Sequence, residues 1–180
     1  MILLDPDLAP DSAPKATLVK REVASTASAA PRDFRLPSAR TLTRFLALAQ
    51  KSVRLKGEVT ILLTTDKAIR TLNRRFRGKN KATDVLSFPA GESFPGQEKV
   101  AGDLAISVLT AQRQAVEQGH SLSTEIKVLM LHGLLHLAGY DHEADEGKMA
   151  RRERLLRGRL GLPQGLIERA AAPRPKAPRP

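Results

Sequence analysis

Three of the four histidines stand close together, at His132, His136 and His142. The first two are four residues apart, about one helical turn, so a helix through them presents both imidazoles on one face. Gly139 can adopt the left-handed backbone that ends a helix, and this turns His142 back toward them. Three imidazoles can share one metal ion and leave a fourth position open, as in catalytic zinc sites. The spacing therefore predicts one zinc ion per chain, with nickel and copper as chemical rivals.

The rest of the composition narrows the possible ligands. The chain has no cysteine, which excludes disulfides, thiolate zinc fingers, iron–sulfur clusters and thiol nucleophiles. The alternative to a metal is a set of core histidines, but several buried imidazoles without partners are energetically costly. His120 lies outside the spacing pattern and is predicted to be a surface residue.

The histidine offsets also match the zinc-protease pattern H-E-x-x-H-x-x-G-x-x-H. Gly133 stands where that pattern has its glutamate general base, so a peptidase is disfavoured. Asp141 is predicted instead to orient an imidazole. Asp84, Ser87 and Asp103 flank or lie in short apolar runs and are interpreted as structural residues.

The chain is strongly basic, with 30 Lys and Arg against 19 Asp and Glu, a formal net charge of +11. Residues 67–81 contain seven basic residues and no acidic one, and residues 148–180 contain ten basic against two acidic. Such clusters attract polyanions, although they are also found on solvated helix faces and soluble tails. Aromatic residues make up only 3% of the chain, which disfavours base-stacking platforms. Charge alone does not distinguish RNA from DNA.

The hydrophobic pattern places these motifs in one domain, a small mixed sheet packed with about five helices. Residues 1–14 and 163–180 are predicted to be flexible tails, since their Pro- and Ala-rich composition disfavours order, and residues 15–162 form the domain. The predicted strands cover 16–23, 58–65, 85–88 and 103–107. One predicted helix follows Pro37, and a second follows its N-cap, Asp66. Three more helices are predicted at about 108–118, 122–138 and 145–160.

Two features of the chain bear on its location. No window approaches the ~20 apolar residues that a membrane-spanning helix needs. The N-terminus lacks the basic start and apolar stretch of a secretory signal. We therefore expect a cytoplasmic protein with no membrane partner.

Four motifs in a fixed order resemble those of the YbeY family of bacterial endoribonucleases, also called rRNA maturation factors. They are the run 132–142, Leu72-Asn-Arg-Arg-Phe-Arg-Gly-Lys79, Thr83-Asp-Val-Leu-Ser-Phe-Pro89 and Gly102-Asp103-Leu. The match spans roughly residues 57–160. The resemblance implies an α+β fold with a mostly parallel four-stranded sheet. It also implies a zinc-dependent, single-strand-specific endoribonuclease that acts in rRNA processing, notably 16S 3′-end maturation, and in ribosome quality control.

The same resemblance implies roles for individual residues. His132, His136 and His142 become the zinc ligands, and Arg77 becomes the catalytic arginine that stabilises the anionic transition state. The remaining cations of this segment, Lys79 and Lys81 among them, are interpreted as binding the substrate backbone. The implied partners are rRNA and the 30S subunit, with ribosomal proteins as further partners and with neither DNA nor membrane among them.

A non-enzymatic RNA-binding ribosome-assembly factor with a structural zinc is the alternative hypothesis. Structural zinc is normally closed by four protein ligands, and the nearby fourth ligand would be Asp141 or Glu143. The enzyme hypothesis itself leaves the nucleophile open between water and the 2′-hydroxyl.

Overall fold

The computed structural model describes residues 1–8, 35–91, 99–142 and 144–163. These ranges contain a short 3-10 turn, Pro6–Leu8, besides the strands and helices of the fold. In chain order the elements are β1 (Ile2–Leu4), α1 (Ala39–Val53), β2 (Glu58–Thr64), α2 (Asp66–Arg77), β3 (Val85–Pro89), β4 (Val100–Ser107), α3 (Val108–Glu117), α4 (Leu122–Leu137) and α5 (Lys148–Leu160). None of the helices in these ranges is long and apolar enough to cross a membrane.

The four strands form one sheet in the order β1-β2-β4-β3. β1 pairs in parallel with β2, and β2 pairs in parallel with β4. β3 lies antiparallel to β4, with Val85 opposite Ile106 and Pro89 opposite Gly102, so it is an edge strand. The predicted α+β fold with a mixed, mostly parallel four-stranded sheet is confirmed.

The two faces of the sheet are covered by different helices. Because side chains alternate along a strand, Leu104 and Ile106 of β4 join the larger core, to which α1, α4 and α5 contribute. Ala105, between them, packs with Leu86 of β3 and Ile69 of α2 in a second, smaller cluster. Helices α2 and α4 therefore lie on opposite faces, and β3 and β4 lie between them.

The start of the chain differs from the prediction. Residues 1–14 were expected to be a flexible tail, but Ile2–Leu4 pairs with β2 as an edge strand, with Ile2 opposite Ile61. The backbone N–H of Asp5 extends this contact by donating to Leu63 O at 2.9 Å. The tail prediction is thus corrected over residues 1–8. The strand predicted at 16–23, residues 9–14 and the C-terminal tail beyond Pro163 lie outside the described residues.

Two helix starts also differ from the prediction. Thr65, not Asp66, caps α2, because its hydroxyl accepts the backbone N–H of Ala68 at 3.2 Å. The carboxylate of Asp66 instead joins α2 to the start of α3, accepting bonds from Ser107, Thr110 and Arg113. Burial alone would raise the pKa of Asp66, but these bonds and the charge of Arg113 lower it overall. Helix α5 begins at 148 rather than 145, after Gly147 in the left-handed conformation.

Candidate metal centre

Helix α4 carries the first two histidines and is apolar on most of its surface. Its predicted start is confirmed, since Ser121 caps it by accepting the N–H of Thr124 at 3.1 Å. Eleven of its sixteen residues are buried. Because the helix is packed against other elements on several sides, the backbone positions of His132 and His136 are fixed.

The end of α4 brings the third histidine to the first two. Gly139 has a φ of 87°, and its N–H donates to His136 O at 2.9 Å. The N–H of Tyr140 donates to Leu135 O at 3.1 Å. Together the two hydrogen bonds form the Schellman motif, in which a glycine ends a helix. The chain then reverses, and His142 comes alongside the other two imidazoles as predicted.

The three histidines form one compact group. Each offers a ring nitrogen, and these nitrogens lie within 4.8 Å of one another. Nε2 of His132 lies 3.1 Å from Nε2 of His136, and the ring centroids are 4.8 to 5.3 Å apart. Two ligand atoms bound to one tetrahedral zinc, each at about 2.05 Å, lie about 3.3 Å apart. The donor set and its spacing therefore fit a metal ion.

The protonation state of His136 also fits a metal site. Burial, together with the charges of His132 and His142, lowers the pKa of His136 to about 4 from its ordinary 6.5, against opposing effects of the Tyr140 backbone and Asp141. The His136 imidazole is therefore neutral at neutral pH, the form in which a ring nitrogen can ligate.

Exposure increases across the group. His132 is 5% exposed, His136 is half-buried and His142 is exposed. The group is thus closed on the side of the core and open to solvent on the side of His142. Asp141 is exposed and is not among the grouped ligand atoms, and Glu143 lies outside the described residues.

A glutamate on α5 contacts the most buried of the three imidazoles. Oε1 of Glu153 lies 3.1 Å from Nδ1 of His132, with the two side chains 1% and 6% exposed. Glu153 was not predicted as a site residue, and the predicted orienting residue is Asp141. The available signal was positional, since Glu153 stands on the same helical face as the apolar Met149 and Leu156, four residues after one and three before the other.

Gly133 explains why the protease pattern is broken at its glutamate position. A Cβ atom there would meet Leu104 Cδ2 at 2.7 Å and the Ser87 hydroxyl at 3.3 Å. The residue faces the sheet at the closest approach of α4, not the open side of the histidine group. A glutamate side chain here would require Leu104 and Ser87 to shift, and it would project toward the sheet and away from the open side of the histidine group.

The predicted catalytic arginine lies at the last residue of α2 and is exposed. Among the described residues, Arg77 makes no hydrogen bond or ion pair. The neighbouring Phe76 packs edge to face on Phe88 of β3, with ring centroids 5.2 Å apart. The preceding residue of that strand, Ser87, has its hydroxyl 3.4 Å from the carbonyl of Gly133 on α4. Helices α2 and α4 thus approach edge strand β3 from its two faces.

The loop after α2 is fixed to the helix by Asn73, which is 2% exposed. Its side-chain amide donates to the backbone carbonyl of Lys81 at 2.8 Å. Its backbone carbonyl accepts the N–H of Lys79 at 3.3 Å. Gly78, with a φ of 68°, allows the turn. Lys79 and Lys81 are both exposed on this loop. All seven cations of residues 67–81 are exposed and, within the described ranges, none forms a salt bridge.

Two further residues can be compared with their predictions. His120 is not a free surface residue, because its Nε2 lies 3.0 Å from Oε2 of the fully buried Glu125. Asp84 is an anchor, as interpreted: its carboxylate accepts the N–H of Val85 at 2.8 Å and the side-chain amide of Gln114 at 2.9 Å.

Known proteins resemble this chain over most of its length. A family model described as Endoribonuclease YbeY matches residues 32–161. The chain is 51% identical over 140 residues to an Endoribonuclease YbeY of Koribacter versatilis, covering 78% of this chain and 89% of that protein. The same identity and coverage are found for an Endoribonuclease YbeY of Solibacter usitatus. The solution structure of TM1509 from Thermotoga maritima aligns with a TM-score of 0.50 at 25% identity, covering 80% of this chain and 94% of that one.

Proposed function

Because this chain belongs to the YbeY family of endoribonucleases, we propose that it is a zinc-dependent endoribonuclease that cleaves single-stranded RNA during rRNA processing. The proposal includes 16S 3′-end maturation and ribosome quality control, and a cytoplasmic location. The observation that carries the metal dependence is the group of three imidazoles whose ligand atoms lie within 4.8 Å of one another and which opens to solvent on one side.

The three histidines are proposed to hold the ion, with His132 at the buried end and His142 at the exposed end. Two of the ligating atoms are Nε2 of His132 and Nε2 of His136, since these nitrogens face each other at 3.1 Å. The chemistry that a zinc ion supplies when bound is Lewis-acid polarisation of the phosphodiester. The open side leaves room for the substrate where a structural zinc would have a fourth protein ligand.

The cations of α2 and its loop are proposed to bind the RNA backbone. Arg77 is the catalytic residue of the proposal, because its planar guanidinium can donate to two phosphate oxygens as negative charge develops. Its exposure and its lack of a partner among the described residues leave those donors available. Lys79 and Lys81 are proposed to bind adjacent phosphates, and Asn73 holds their loop in place.

A preference for single strands follows from the depth of the histidine group. His132 is nearly buried and His136 is half-buried, so the scissile phosphate must reach down to them. A flexible single strand can present one phosphate in this way, whereas the backbone of a helical duplex is held at the surface of a wide, stiff cylinder.

The test is cleavage of a short single-stranded rRNA fragment beside the same fragment annealed to its complement. Purified protein is assayed as prepared, after chelation, and after zinc is added back, with bound metal measured in each sample. The expected result is cleavage of the single strand, loss on chelation, recovery with zinc, and about one zinc per chain. Tight RNA binding without cleavage under zinc, nickel, copper or manganese would favour a non-enzymatic assembly factor instead.

A further inference from the structure

Glu153 is a charged residue where the packing of α5 calls for an apolar one. Its neighbours on the same helical face, Met149 and Leu156, are fully buried in the main core. Glu153 itself is 1% exposed. Burial of a carboxylate is costly unless it is paired, and its second oxygen, Oε2, has no hydrogen-bond partner among the described residues. Packing alone gives no reason to retain a carboxylate at this position.

The contact that Glu153 does make is directed at one atom. Its Oε1 lies 3.1 Å from Nδ1 of His132. A carboxylate can only accept, so Nδ1 must carry the hydrogen. In a neutral imidazole the other nitrogen, Nε2, is then without hydrogen and has its lone pair free. This is the nitrogen that faces His136 at 3.1 Å.

We propose that Glu153 is a positioning residue for the metal centre, which fixes the tautomer and the ring plane of His132 so that Nε2 points into the three-histidine group. Of the two Nε2 atoms that face each other, only one can carry a hydrogen in the metal-free protein, and Glu153 determines that it is not the one on His132. The inference rests on the proposed metal site and not on RNA as the substrate.

The chain contains a matched control. Glu125 is also fully buried and also lies about 3 Å from a histidine nitrogen, Nε2 of His120. That pair lies at the other end of α4, outside the three-histidine group. Loss of the Glu125 carboxylate therefore tests the effect of removing a buried histidine–carboxylate pair without touching the metal centre.

The experiment compares Glu153→Met, Glu153→Gln and Glu125→Gln with the unaltered protein. Zinc affinity is measured by competition with a chromophoric chelator, and the tautomer of His132 is measured by long-range proton–nitrogen correlation NMR on metal-free protein. Glu153→Met should weaken zinc binding about 10- to 100-fold, and its unfolding temperature should fall because the buried Nδ1–H of His132 loses its acceptor. Glu153→Gln can still accept the Nδ1 hydrogen and should lose less. Glu125→Gln should leave zinc affinity unchanged.

The unaltered protein should show His132 with its hydrogen on Nδ1, and this measurement requires no variant to fold. A hydrogen on Nε2, or unchanged zinc affinity in Glu153→Met, would overturn the inference. If zinc affinity falls in Glu153→Met but the unaltered protein cleaves no RNA, Glu153 keeps its role and the proposed function fails instead.

Discussion

Helices α4 and α2 both carry proposed site residues, but their surroundings differ. Eleven of the sixteen residues of α4 are buried, and only two of the twelve of α2 are. The histidines of α4 contact one another and a buried glutamate, while the cations of α2 point into solvent and form no salt bridge in the part of the chain that the structure describes. One helix holds its functional groups in place, and the other presents them loosely.

The difference matches what each interaction requires. Metal ligands must sit within a few tenths of an ångström of their ideal distance, and only close packing gives that precision. Backbone phosphates are repeated along a strand and bind through long-range charge, so mobile lysines and arginines are sufficient. A variant in α4 should therefore act through geometry, and a variant in α2 should act through charge.

The strongest test of the geometric side is His132→Ala. We expect bound zinc to fall well below one per chain and RNA cleavage to fall to the level of the chelated enzyme, because two imidazoles remain where three are needed. Metal analysis and single-turnover cleavage measure both effects. The control is His120→Gln, which keeps a donor for Glu125 and should retain zinc and activity. Full cleavage by zinc-free His132→Ala protein would reject the metal mechanism.

Arg77→Ala should have the next largest effect. Loss of one charged donor to the transition state lowers kcat by about 10²- to 10³-fold, and zinc content should not change. The Arg77→Lys protein should remain impaired because a point charge lacks the bidentate fork. Arg74, an exposed arginine on the same helix, is the comparison, and its change to alanine should cost only a few-fold. Equal effects at the two positions would mean that Arg77 only binds the RNA backbone, like the other cations, and has no catalytic role.

Gly133→Ala tests how tightly α4 is held against the sheet. The new methyl group would lie 2.7 Å from Leu104 Cδ2, and overpacking of a core costs about 1–3 kcal/mol of unfolding free energy. Gly158→Ala on α5 is the matched control, since a Cβ there meets nothing within 4 Å. That change should stabilise the protein by up to about 1 kcal/mol through helix propensity. Denaturant unfolding measures both, and a stabilised Gly133→Ala protein would mean that the contact relaxes freely.

The smallest effect is expected from the outer cations of α2. Changing Lys67 and Arg74 together to glutamine should weaken binding of single-stranded RNA a few-fold. The slope of log affinity against log salt should fall by about 0.7 for each lost phosphate contact. Arg44 and Lys51 on α1 have the same spacing and are also exposed. Their double change to glutamine should leave the slope as it was, and an equal drop in both variants would place the charge effect on the whole surface rather than on α2.

The sequence was informative where the signal was local. Helix α4 was predictable because Ser121, the apolar run and Gly139 mark its start, body and end, and the histidine spacing then follows from helix geometry. Strands β2, β3 and β4 lie close to their predicted positions, but β1 was missed, since it is only three residues long and stands before an Asp- and Pro-rich segment. Its partner, Ile61, is 59 residues away, and no local pattern reports a pairing at that distance.

The parts of the site that were missed depend on contacts between elements. Glu153 is 21 residues from His132, and its role becomes visible only when α5 packs on α4. The reason for Gly133 is similar, because the atoms that exclude a side chain there belong to β3 and β4. His120 was predicted to be exposed because it lies outside the histidine spacing pattern, and its contact with the buried Glu125 is visible only in the folded structure.

Helix α5 contributes to the site through Glu153, which contacts His132. Its first turn is held by Asp145, whose carboxylate accepts the backbone N–H of Met149 at 2.8 Å, but a helix can still open transiently while the rest of the protein stays folded. Each opening of α5 would move Glu153 away from His132. The hydrogen–deuterium exchange of the α5 amides should therefore depend on zinc, although none of these amides contacts the ion. We expect their hydrogen–deuterium exchange to slow when zinc is added, by the factor through which Glu153 strengthens zinc binding, because the two equilibria are thermodynamically linked.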